Sequence, residues 1–251
     1  MRVAVAGGTG LIGRYVVSAL SAAGHTPITL ARATGLDITT GDGLDAALAG
    51  VQAVLDVSNV MTMKKNESIA FFEAGTRHLL DAGARASVQH HVILSIVGID
   101  RVDFGYYFGK RRQEELALAS GRPVSVLRAT QFHEFAGQLL ERARGPIAMV
   151  PRMLIAPVAA REVADALVAL VVDQTPVGMA PELGGPQQRE LTDLARAVLT
   201  ARRSKKLLLR VRVPGAAGKA MAGGALLPTG DGPRGHQSFD EWLASSSLVT
   251  R

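Results

Sequence analysis

MRVAVAGGTGLIGRYVVSAL, residues 1–20, is the stretch that decides the fold. It contains an apolar strand, a glycine-rich turn and an amphipathic helix in direct succession. The glycines fit G-x-G-x-x-G from Gly8 and G-x-x-G-x-x-G from Gly7, which leaves the backbone open where a helix presents its positive end to a diphosphate. A loop of this kind between a strand and a helix predicts a dinucleotide site. The residues expected to contact the dinucleotide are Gly7, Gly10, Leu11, Ile12 and Gly13.

Strand-like and helix-like stretches keep alternating after this opening unit. Four further apolar runs are each followed by a helical stretch, an order typical of a parallel sheet with helices on both faces. Beyond about residue 145, prolines break the pattern into short pieces. We therefore predict an α/β fold with a doubly wound parallel sheet (Rossmann fold), in which residues 1–145 form a dinucleotide-binding domain. Residues 146–251 are predicted to complete the fold and to form a small C-terminal substrate-binding lobe.

The composition restricts the chemistry available to the chain. Its 251 residues include no cysteine, which excludes disulfides, thiolate metal sites and cysteine nucleophiles. No set of His, Asp and Glu has the spacing of metal ligands, so no metal is expected. No apolar run is long enough to span a membrane, and the first two residues lead directly into a strand. We therefore expect a cytoplasmic protein without a membrane partner.

The chain carries a formal net charge of +6, which favours anionic partners. Six cations are concentrated in ARRSKKLLLRVR, residues 201–212. The second half of this stretch alternates apolar and charged residues, as an edge strand does. Because aromatic residues make up only 4% of the chain, we interpret the stretch as a solvated basic edge and expect no nucleic-acid partner.

A cation stands at the end of the second strand, where the ribose of the dinucleotide is expected. Arg32 there complements the 2′-phosphate of NADP, whereas NAD-preferring sites usually place an acid at this point. We therefore predict NADP (NADPH) as the cofactor, favoured over NAD. Arg14 either adds to this positive field or is a solvated surface cation. Asp37 and Ile38, predicted to follow a further short strand, are expected to flank the adenine, although Asp37 could equally cap a turn.

FGYYFGK, residues 104–110, contains two of the three tyrosines in the chain. Tyr106 and Lys110 are four residues apart, so in a helix their side chains lie on one face. This spacing fits a phenol whose ionised form is stabilised by an ammonium group. It also fits a tyrosine that only packs against the aliphatic part of a lysine. Tyr107, three residues before Lys110, is a second candidate for the phenol.

These stretches resemble the short-chain dehydrogenase/reductase superfamily, in particular its atypical, NmrA-like branch of NAD(P)-binding proteins. The resemblance covers nearly the whole chain and is carried by GGTGLIGR (7–14), LSIVGIDR (94–101), YYFGK (106–110), LRATQFHEF (127–135) and PVAAREVADAL (157–167). In that superfamily a tyrosine donates a proton, a lysine tunes it and holds the nicotinamide ribose, and a serine polarises the substrate carbonyl. The resemblance assigns these catalytic roles to Tyr106, Lys110 and Ser95.

The same resemblance assigns the rest of the site. The superfamily's Asn-Asn-Ala-Gly run is replaced here by DVSNV, so Ser58 and Asn59 are expected on the nicotinamide side. The substrate pocket is expected to contain Val97, Phe104, Gln131, Phe132 and His133. Such a lining suits an apolar or aromatic carbonyl compound, although apolar residues at these spacings are also ordinary core residues. His133 is either a substrate contact or a hydrogen-bonded structural residue.

The predicted function is the NADPH-dependent reduction of a small-molecule ketone, aldehyde or quinone by an oxidoreductase. NmrA-like proteins include sensors that bind the dinucleotide without turnover, so a redox-sensing regulator is the alternative hypothesis. A dinucleotide-dependent rearrangement or cyclisation without net redox change is a third. Homo-oligomers are common among related enzymes, although the sequence contains no apolar stripe that marks an interface.

Overall fold

The computed structural model describes residues 1–249, so the last two residues of the predicted 146–251 part lie outside the described region. The chain divides into two compact units that interleave along the sequence. The first unit contains Met1–Ile96, Phe104–Arg128 and Arg161–Pro181, and the second contains Val97–Asp103, Ala129–Ala160 and Glu182–Arg251. The predicted assignment of residues 1–145 to the dinucleotide and of the remainder to the substrate stays a prediction.

Strands and helices alternate through much of the described chain. The strands are β1 (Arg2–Ala6), β2 (Thr26–Leu30), β3 (Ala53–Asp56), β4 (His90–Ile96), β5 (Val124–Ala129), β6 (Ile147–Pro151), β7 (Leu154–Ile155), β8 (Gly178–Met179), β9 (Arg189–Glu190) and β10 (Leu207–Val211). The helices are α1 (Leu11–Ala22), α2 (Leu44–Ala47), α3 (Lys65–Arg85), α4 (Gly105–Leu118), α5 (Glu134–Arg142), α6 (Ala160–Asp173), α7 (Leu191–Ala201), α8 (Gly215–Ala222) and α9 (Phe239–Val249).

The first unit is built on a six-stranded sheet in the order β2-β1-β3-β4-β5-β8. Strand β1 pairs in parallel with β2 and β3, β3 pairs in parallel with β4, and β5 pairs in parallel with β8. Strand β3 is buried at every position, as expected of an apolar strand covered on both faces. These pairings confirm the predicted α/β fold with a parallel Rossmann sheet.

Helix α1 packs on this sheet through an apolar stripe. Its buried residues Ile12, Val16 and Leu20 are spaced four apart, so they form one face of the helix. Between Ile12 and Val16, Gly13 is also buried and allows the helix to approach the loop that precedes it.

The order of the strands creates a switch point at the carboxyl ends of β1 and β3. From β1 the chain passes to β2 on one side and then returns to β3 on the other side. In open α/β sheets, ligands bind in the crevice beyond the strand ends at such a point. The loop Gly7–Gly13, called the glycine loop below, follows β1, and Ser58 and Asn59 follow β3. The fold therefore brings two of the predicted site segments to the same edge of the sheet.

The second unit contains two small sheets. Strand β6 pairs in parallel with β10, and β7 pairs antiparallel with β9. Residues Leu207–Val211 of the basic stretch 201–212 form β10, which confirms the strand inferred from its alternating pattern. Within this two-stranded sheet the apolar side chains of Leu207 and Leu209 are exposed.

The segment between β2 and α2 differs from the prediction. It contains a single 3₁₀ turn, Arg32–Thr34, and every residue in it is described without forming a strand. The prediction of a further short strand before Asp37 is therefore wrong. Gly35, Gly41 and Gly43 have φ values of +83°, +80° and +77° in this segment, and such left-handed positions interrupt extended pairing.

Candidate active site

The glycine loop joins β1 to α1 through backbone contacts that only glycine permits. Gly7 has a φ of +81°, and a Cβ atom there would lie 2.8 Å from the Cα of Ser58. A Cβ atom on Gly13 would overlap the carbonyl oxygen of Gly7. The first turn of α1 contains no acidic residue, so its unpaired N–H groups keep their positive field. The loop therefore has the form of a diphosphate cradle.

The side chains beside the loop differ in their surroundings. Ile12 is 6% exposed and belongs to the core, and Leu11 is half-buried. Their predicted contact with the dinucleotide would involve the backbone N–H groups at the start of α1. Arg14 is exposed and donates a hydrogen bond of 3.5 Å to the carbonyl oxygen of Thr9. Its guanidinium thus lies beside the loop.

The predicted adenine and ribose contacts lie beyond β2. Arg32 is exposed at the start of the 3₁₀ turn. Asp37 caps a turn, because its Oδ1 accepts hydrogen bonds from the hydroxyl of Thr39 at 2.7 Å and from its backbone N at 2.9 Å. These two bonds, helped by the charge of Arg32, hold the pKa of Asp37 below its ordinary value. Ile38 is buried and its side chain packs against Gly75. Their contacts with a dinucleotide stay predictions.

The segment after β3 connects the glycine loop with the phenol of Tyr106. Ser58 is buried, and its backbone N donates to Oδ1 of Asp56 at 2.8 Å. The backbone of Ser58 lies against Gly7. The next residue, Asn59, accepts a hydrogen bond of 2.7 Å from the hydroxyl of Tyr106 through its Oδ1. Three predicted site residues thus lie together beside the glycine loop, within the first unit.

The two adjacent tyrosines differ in position. Tyr107 is 7% exposed, and its ring packs against Phe104 with the centroids 5.6 Å apart. Tyr106 is half-buried and reaches Asn59 with its hydroxyl. Of the two, Tyr106 is therefore the phenol that contacts the segment after β3, and its role as the acid stays a prediction.

Lys110 is buried, and two acceptors fix its ammonium group. Its Nζ donates to the carbonyl oxygen of Leu94 at 2.6 Å and to Oε1 of Gln113 at 2.5 Å. Burial lowers the pKa of Lys110 to about 8, although the charges of Asp56 and Glu114 act in the opposite direction. The lysine therefore keeps its proton at neutral pH and loses it in mildly alkaline solution.

The pKa of Tyr106 differs from the value that the sequence suggested. A neighbouring ammonium group was expected to lower it, but it lies above the ordinary value because of burial, with smaller contributions from Tyr107 and from the charge of Asp56. The physical reason is the direction of Lys110, whose ammonium group binds Leu94 and a glutamine on its own helix.

Ser95 lies at the carboxyl end of β4, next in sequence to the carbonyl group that Lys110 binds. It is 1% exposed, and its Oγ has no hydrogen-bond partner among the described residues. A buried hydroxyl without a partner costs about 1–3 kcal/mol, and such groups call for a specific explanation. A substrate oxygen that accepts from this hydroxyl would provide one.

Four residues of this region were missed in the sequence. Gln113 donates through Nε2 to Oδ2 of Asp56 at 2.8 Å, which connects α4 with the end of β3. Met61 and Met63, which follow Asn59, are 65% and 64% exposed. The signals that could have found them are an acid at the end of an apolar strand and two methionines in one short loop.

Four of the predicted substrate residues belong to the second unit, while Phe104 belongs to the first. Val97 is completely buried, and Phe132 is half-buried. Neither amide atom of Gln131 has a hydrogen-bond partner among residues 1–249. His133 is buried, and its Nε2 lies 3.0 Å from the carbonyl oxygen of Gln237. This contact fits the hydrogen-bonded structural residue, one of the two roles that the sequence allowed. The roles of these residues in substrate binding stay predictions.

The described residues contain neither a metal-binding cluster nor a membrane-spanning helix. Within residues 1–249, no three side chains of the metal-binding types are grouped so that they could hold a metal ion. None of the helices in the same region combines the length and apolar character needed to cross a membrane.

Comparison of the chain with known proteins identifies relatives. Residues 3–97 match the NAD dependent epimerase/dehydratase family. The (4-alkanoyl-5-oxo-2,5-dihydrofuran-3-yl)methyl phosphate reductase of Streptomyces griseus is 32% identical over 203 residues, which cover 73% of this chain and 67% of that relative.

Solved structures show the same fold. MoeE5 in complex with UDP-glucose and NAD has a TM-score of 0.77 at 17% identity, over 100% of this chain and 99% of that chain. The NADPH-dependent quinone oxidoreductase QOR2 of Escherichia coli has a TM-score of 0.67 at 18% identity, over 97% of this chain and 99% of that chain. The narrower resemblance to the NmrA-like branch stays a prediction. On the match to its relative, the chain belongs to the short-chain dehydrogenase/reductase superfamily.

Proposed function

We propose that the chain is an NADPH-dependent reductase of an apolar or aromatic ketone, aldehyde or quinone. The observation that carries this proposal is the series of contacts from the glycine loop to a phenol. The backbone of Ser58 lies against Gly7, and the adjacent Asn59 accepts the hydrogen bond of the Tyr106 hydroxyl. A dinucleotide held at the loop and a proton donor at the end of β3 would thus share one edge of the sheet.

The residues of the first unit fit a nicotinamide dinucleotide. The backbone of the glycine loop would hold the diphosphate, because a Cβ at Gly7 or Gly13 would occupy space already taken by backbone atoms. Arg32 would bind the 2′-phosphate of NADP, since it is an exposed cation beyond β2 and the first acid after it, Asp37, is engaged with Thr39. Ser58, Asn59 and Lys110 would line the nicotinamide ribose.

A nicotinamide dinucleotide held by the glycine loop, Ser58, Asn59 and Lys110 would supply the hydride that reduces the carbonyl carbon. Ser95 donates a hydrogen bond to the carbonyl oxygen, and Tyr106 transfers its hydroxyl proton to the same oxygen, which yields an alcohol. A forming alkoxide is more basic than a phenolate, so the transfer is favourable even from a phenol of raised pKa. The phenolate that is left takes up a proton from solvent, while Lys110, whose ammonium group is held by Leu94 and Gln113, would bind the nicotinamide ribose.

The substrate class is supported by two observations. Met61 and Met63 present exposed, flexible apolar surface directly after Asn59, and such side chains adapt to apolar ligands of varied shape. The relative from Streptomyces griseus is named as a reductase of a dihydrofuran methyl phosphate that carries alkanoyl and oxo groups. Both favour a small carbonyl compound with an apolar part.

One observation favours a second candidate function, a redox-sensing regulator that binds the dinucleotide without turnover. The pKa of Tyr106 is raised rather than lowered, and Lys110 is directed at protein acceptors. A phenol with a raised pKa and no ammonium group directed at it could contact the bound dinucleotide without donating a proton.

Loss of NADPH absorbance with a panel of ketones, aldehydes and quinones separates the two candidates. Under the proposed function, at least one substrate is reduced, and Tyr106→Phe lowers kcat by about 10²–10⁴-fold, the usual contribution of a positioned acid. Tyr107→Phe is the matched control and should retain activity. Dinucleotide affinity, measured by calorimetry, should be similar in all three proteins. Tight binding without turnover of any substrate would instead support the regulator.

A further inference from the structure

We propose that Gln113 and Asp56 are positioning residues that hold the ammonium group of Lys110 in the orientation needed for reduction. The inference rests on the proposed function for its effect on catalysis. Its physical core is the contact between three residues, called here the Asp56–Gln113–Lys110 triplet. All three residues belong to the first unit, and the triplet connects β3 with α4.

Every member of the triplet is buried and hydrogen-bonded. Asp56 is 4%, Gln113 1% and Lys110 4% exposed. Gln113 donates through Nε2 to Oδ2 of Asp56 at 2.8 Å, and it accepts from Nζ of Lys110 through Oε1 at 2.5 Å. The other carboxylate oxygen of Asp56 accepts from the backbone N of Ser58. Buried polar groups that satisfy one another in this way specify a single arrangement of side chains.

The chemistry of the end groups fixes the amide between them. A carboxylate only accepts hydrogen bonds, and an ammonium group only donates them. Gln113 must therefore turn its NH₂ group to Asp56 and its oxygen to Lys110. The reverse orientation would place acceptor against acceptor and donor against donor. Asp56 thus sets the orientation of Gln113, which in turn sets the position of the ammonium group.

The amide also keeps the two charges apart. A direct ion pair with Asp56 would draw the ammonium group towards β3, whereas the amide leaves it against the carbonyl oxygen of Leu94, the residue before Ser95. An ammonium group has three N–H donors, and Leu94 and Gln113 take two of them among the described residues. The third donor is the one that can serve a ribose hydroxyl.

The surroundings of Lys110 determine how it responds to pH. Asp56 faces it from β3, and Glu114 acts on it from α4 while bound to Arg128 of β5. The ring of Phe72 lies 4.6 Å from Nζ on the side of α3. Both carboxylates favour the charged lysine and burial opposes it, so loss of the triplet should shift the titration of Lys110 to lower pH.

The test follows Lys110 itself and the reaction separately. Ligand-free protein with isotope-labelled lysine is titrated by NMR, and Lys110→Met identifies the signal by its disappearance. We expect Gln113→Leu and Asp56→Asn to lower the midpoint of this titration by about one pH unit. Gln113→Glu, which keeps an acceptor beside the ammonium group, should leave the midpoint at or above that of the unsubstituted protein. Glu115→Gln, an exposed carboxylate on the same helix, is the matched control and should change nothing.

The same proteins are then compared in the pH profile of kcat/KM with NADPH. The alkaline limb of the profile should move to lower pH in Gln113→Leu and in Asp56→Asn. In Gln113→Glu it should lie no lower than in the unsubstituted protein. A purely structural role would lower the unfolding midpoint and leave the alkaline limb in place. Unchanged Lys110 titrations in Asp56→Asn and Gln113→Leu would overturn the inference, and if Gln113→Leu does not fold, Asp56→Asn alone decides.

The two proposals fail in different ways. Absence of turnover with every carbonyl substrate contradicts the reductase, whereas the NMR titration of the ligand-free protein still decides whether the triplet holds Lys110. Turnover with an unshifted Lys110 titration in the variants keeps the reductase and removes the positioning role.

Discussion

The glycine loop and the Tyr106–Gln113 part of α4 lie in the same compact unit, but they are built in opposite ways. The loop works because side chains are missing, so that Gly7 and Gly13 bring backbone against backbone within one short segment. The helix segment works through side chains that reach distant parts of the chain, as in the bond from Gln113 to Asp56, 57 residues away. A glycine loop can be identified from the spacing of its residues in the sequence. Hydrogen bonds between distant side chains can be identified only once the fold is known.

The largest expected effect on ligand binding concerns the loop. Gly13→Ala should lower dinucleotide affinity by about a hundredfold or more, corresponding to roughly 3 kcal/mol, measured by calorimetry with NADPH. The added Cβ would overlap the carbonyl oxygen of Gly7. Helix propensity alone favours alanine at this position by up to about 1 kcal/mol, so the direction of the change separates the two effects. Gly230→Ala, which meets open space, is the control. Full binding by Gly13→Ala would show that the loop tolerates side chains and would remove the contrast.

The largest expected effect on the free energy of unfolding concerns the ion pair that joins α4 to β5. Glu114 binds Arg128 of β5 through two hydrogen bonds of 2.9 and 2.7 Å, with side chains 8% and 14% exposed. Glu114→Gln should lower the free energy of unfolding by about 3–5 kcal/mol, because it removes the charge of a buried carboxylate that two hydrogen bonds connect to a largely buried arginine. Urea denaturation measures this change.

Glu115 provides the comparison on the same helix. It is 64% exposed and lies 3.4 Å from Arg112, so Glu115→Gln should cost less than about 1 kcal/mol. Equal losses in the two variants would mean that α4 does not depend on β5 through Glu114.

These two regions also explain how far the sequence could be interpreted. The parallel sheet, the glycine loop and the shared face of Tyr106 and Lys110 follow from local spacing, and the fold bears out the first of them. The direction of Lys110 could not be predicted, because its acceptors depend on where β4 meets α4. The strand expected before Asp37 failed for a local reason, since a 3₁₀ turn and the left-handed Gly35 occupy the residues before it. Spacing predicts which residues share a face, and packing decides what that face touches.

A smaller effect is expected at the ribose end of the proposed dinucleotide site. Arg32→Ser should weaken NADPH binding by about tenfold, or roughly 1.4 kcal/mol, through the loss of one hydrogen-bonded charge pair with the 2′-phosphate, and should leave NADH binding unchanged. Arg122→Ser, an exposed cation before β5, is the control. The ratio of the two dissociation constants checks the prediction. A parallel loss for both dinucleotides would mean that Arg32 does not distinguish them.

The smallest effect concerns the methionines of the loop after β3, which also contains Asn59, the hydrogen-bond acceptor of Tyr106. Met61→Ser combined with Met63→Ser should raise KM for an alkyl ketone by about fivefold, through the loss of roughly 1 kcal/mol of apolar contact, with little change in kcat. Met179→Ser is the control, because Met179 is also exposed but lies on β8. A fall in kcat at constant KM would mean that the loop positions Tyr106 through Asn59 instead of binding substrate. That outcome would move the loop from the substrate surface into the same network as Lys110.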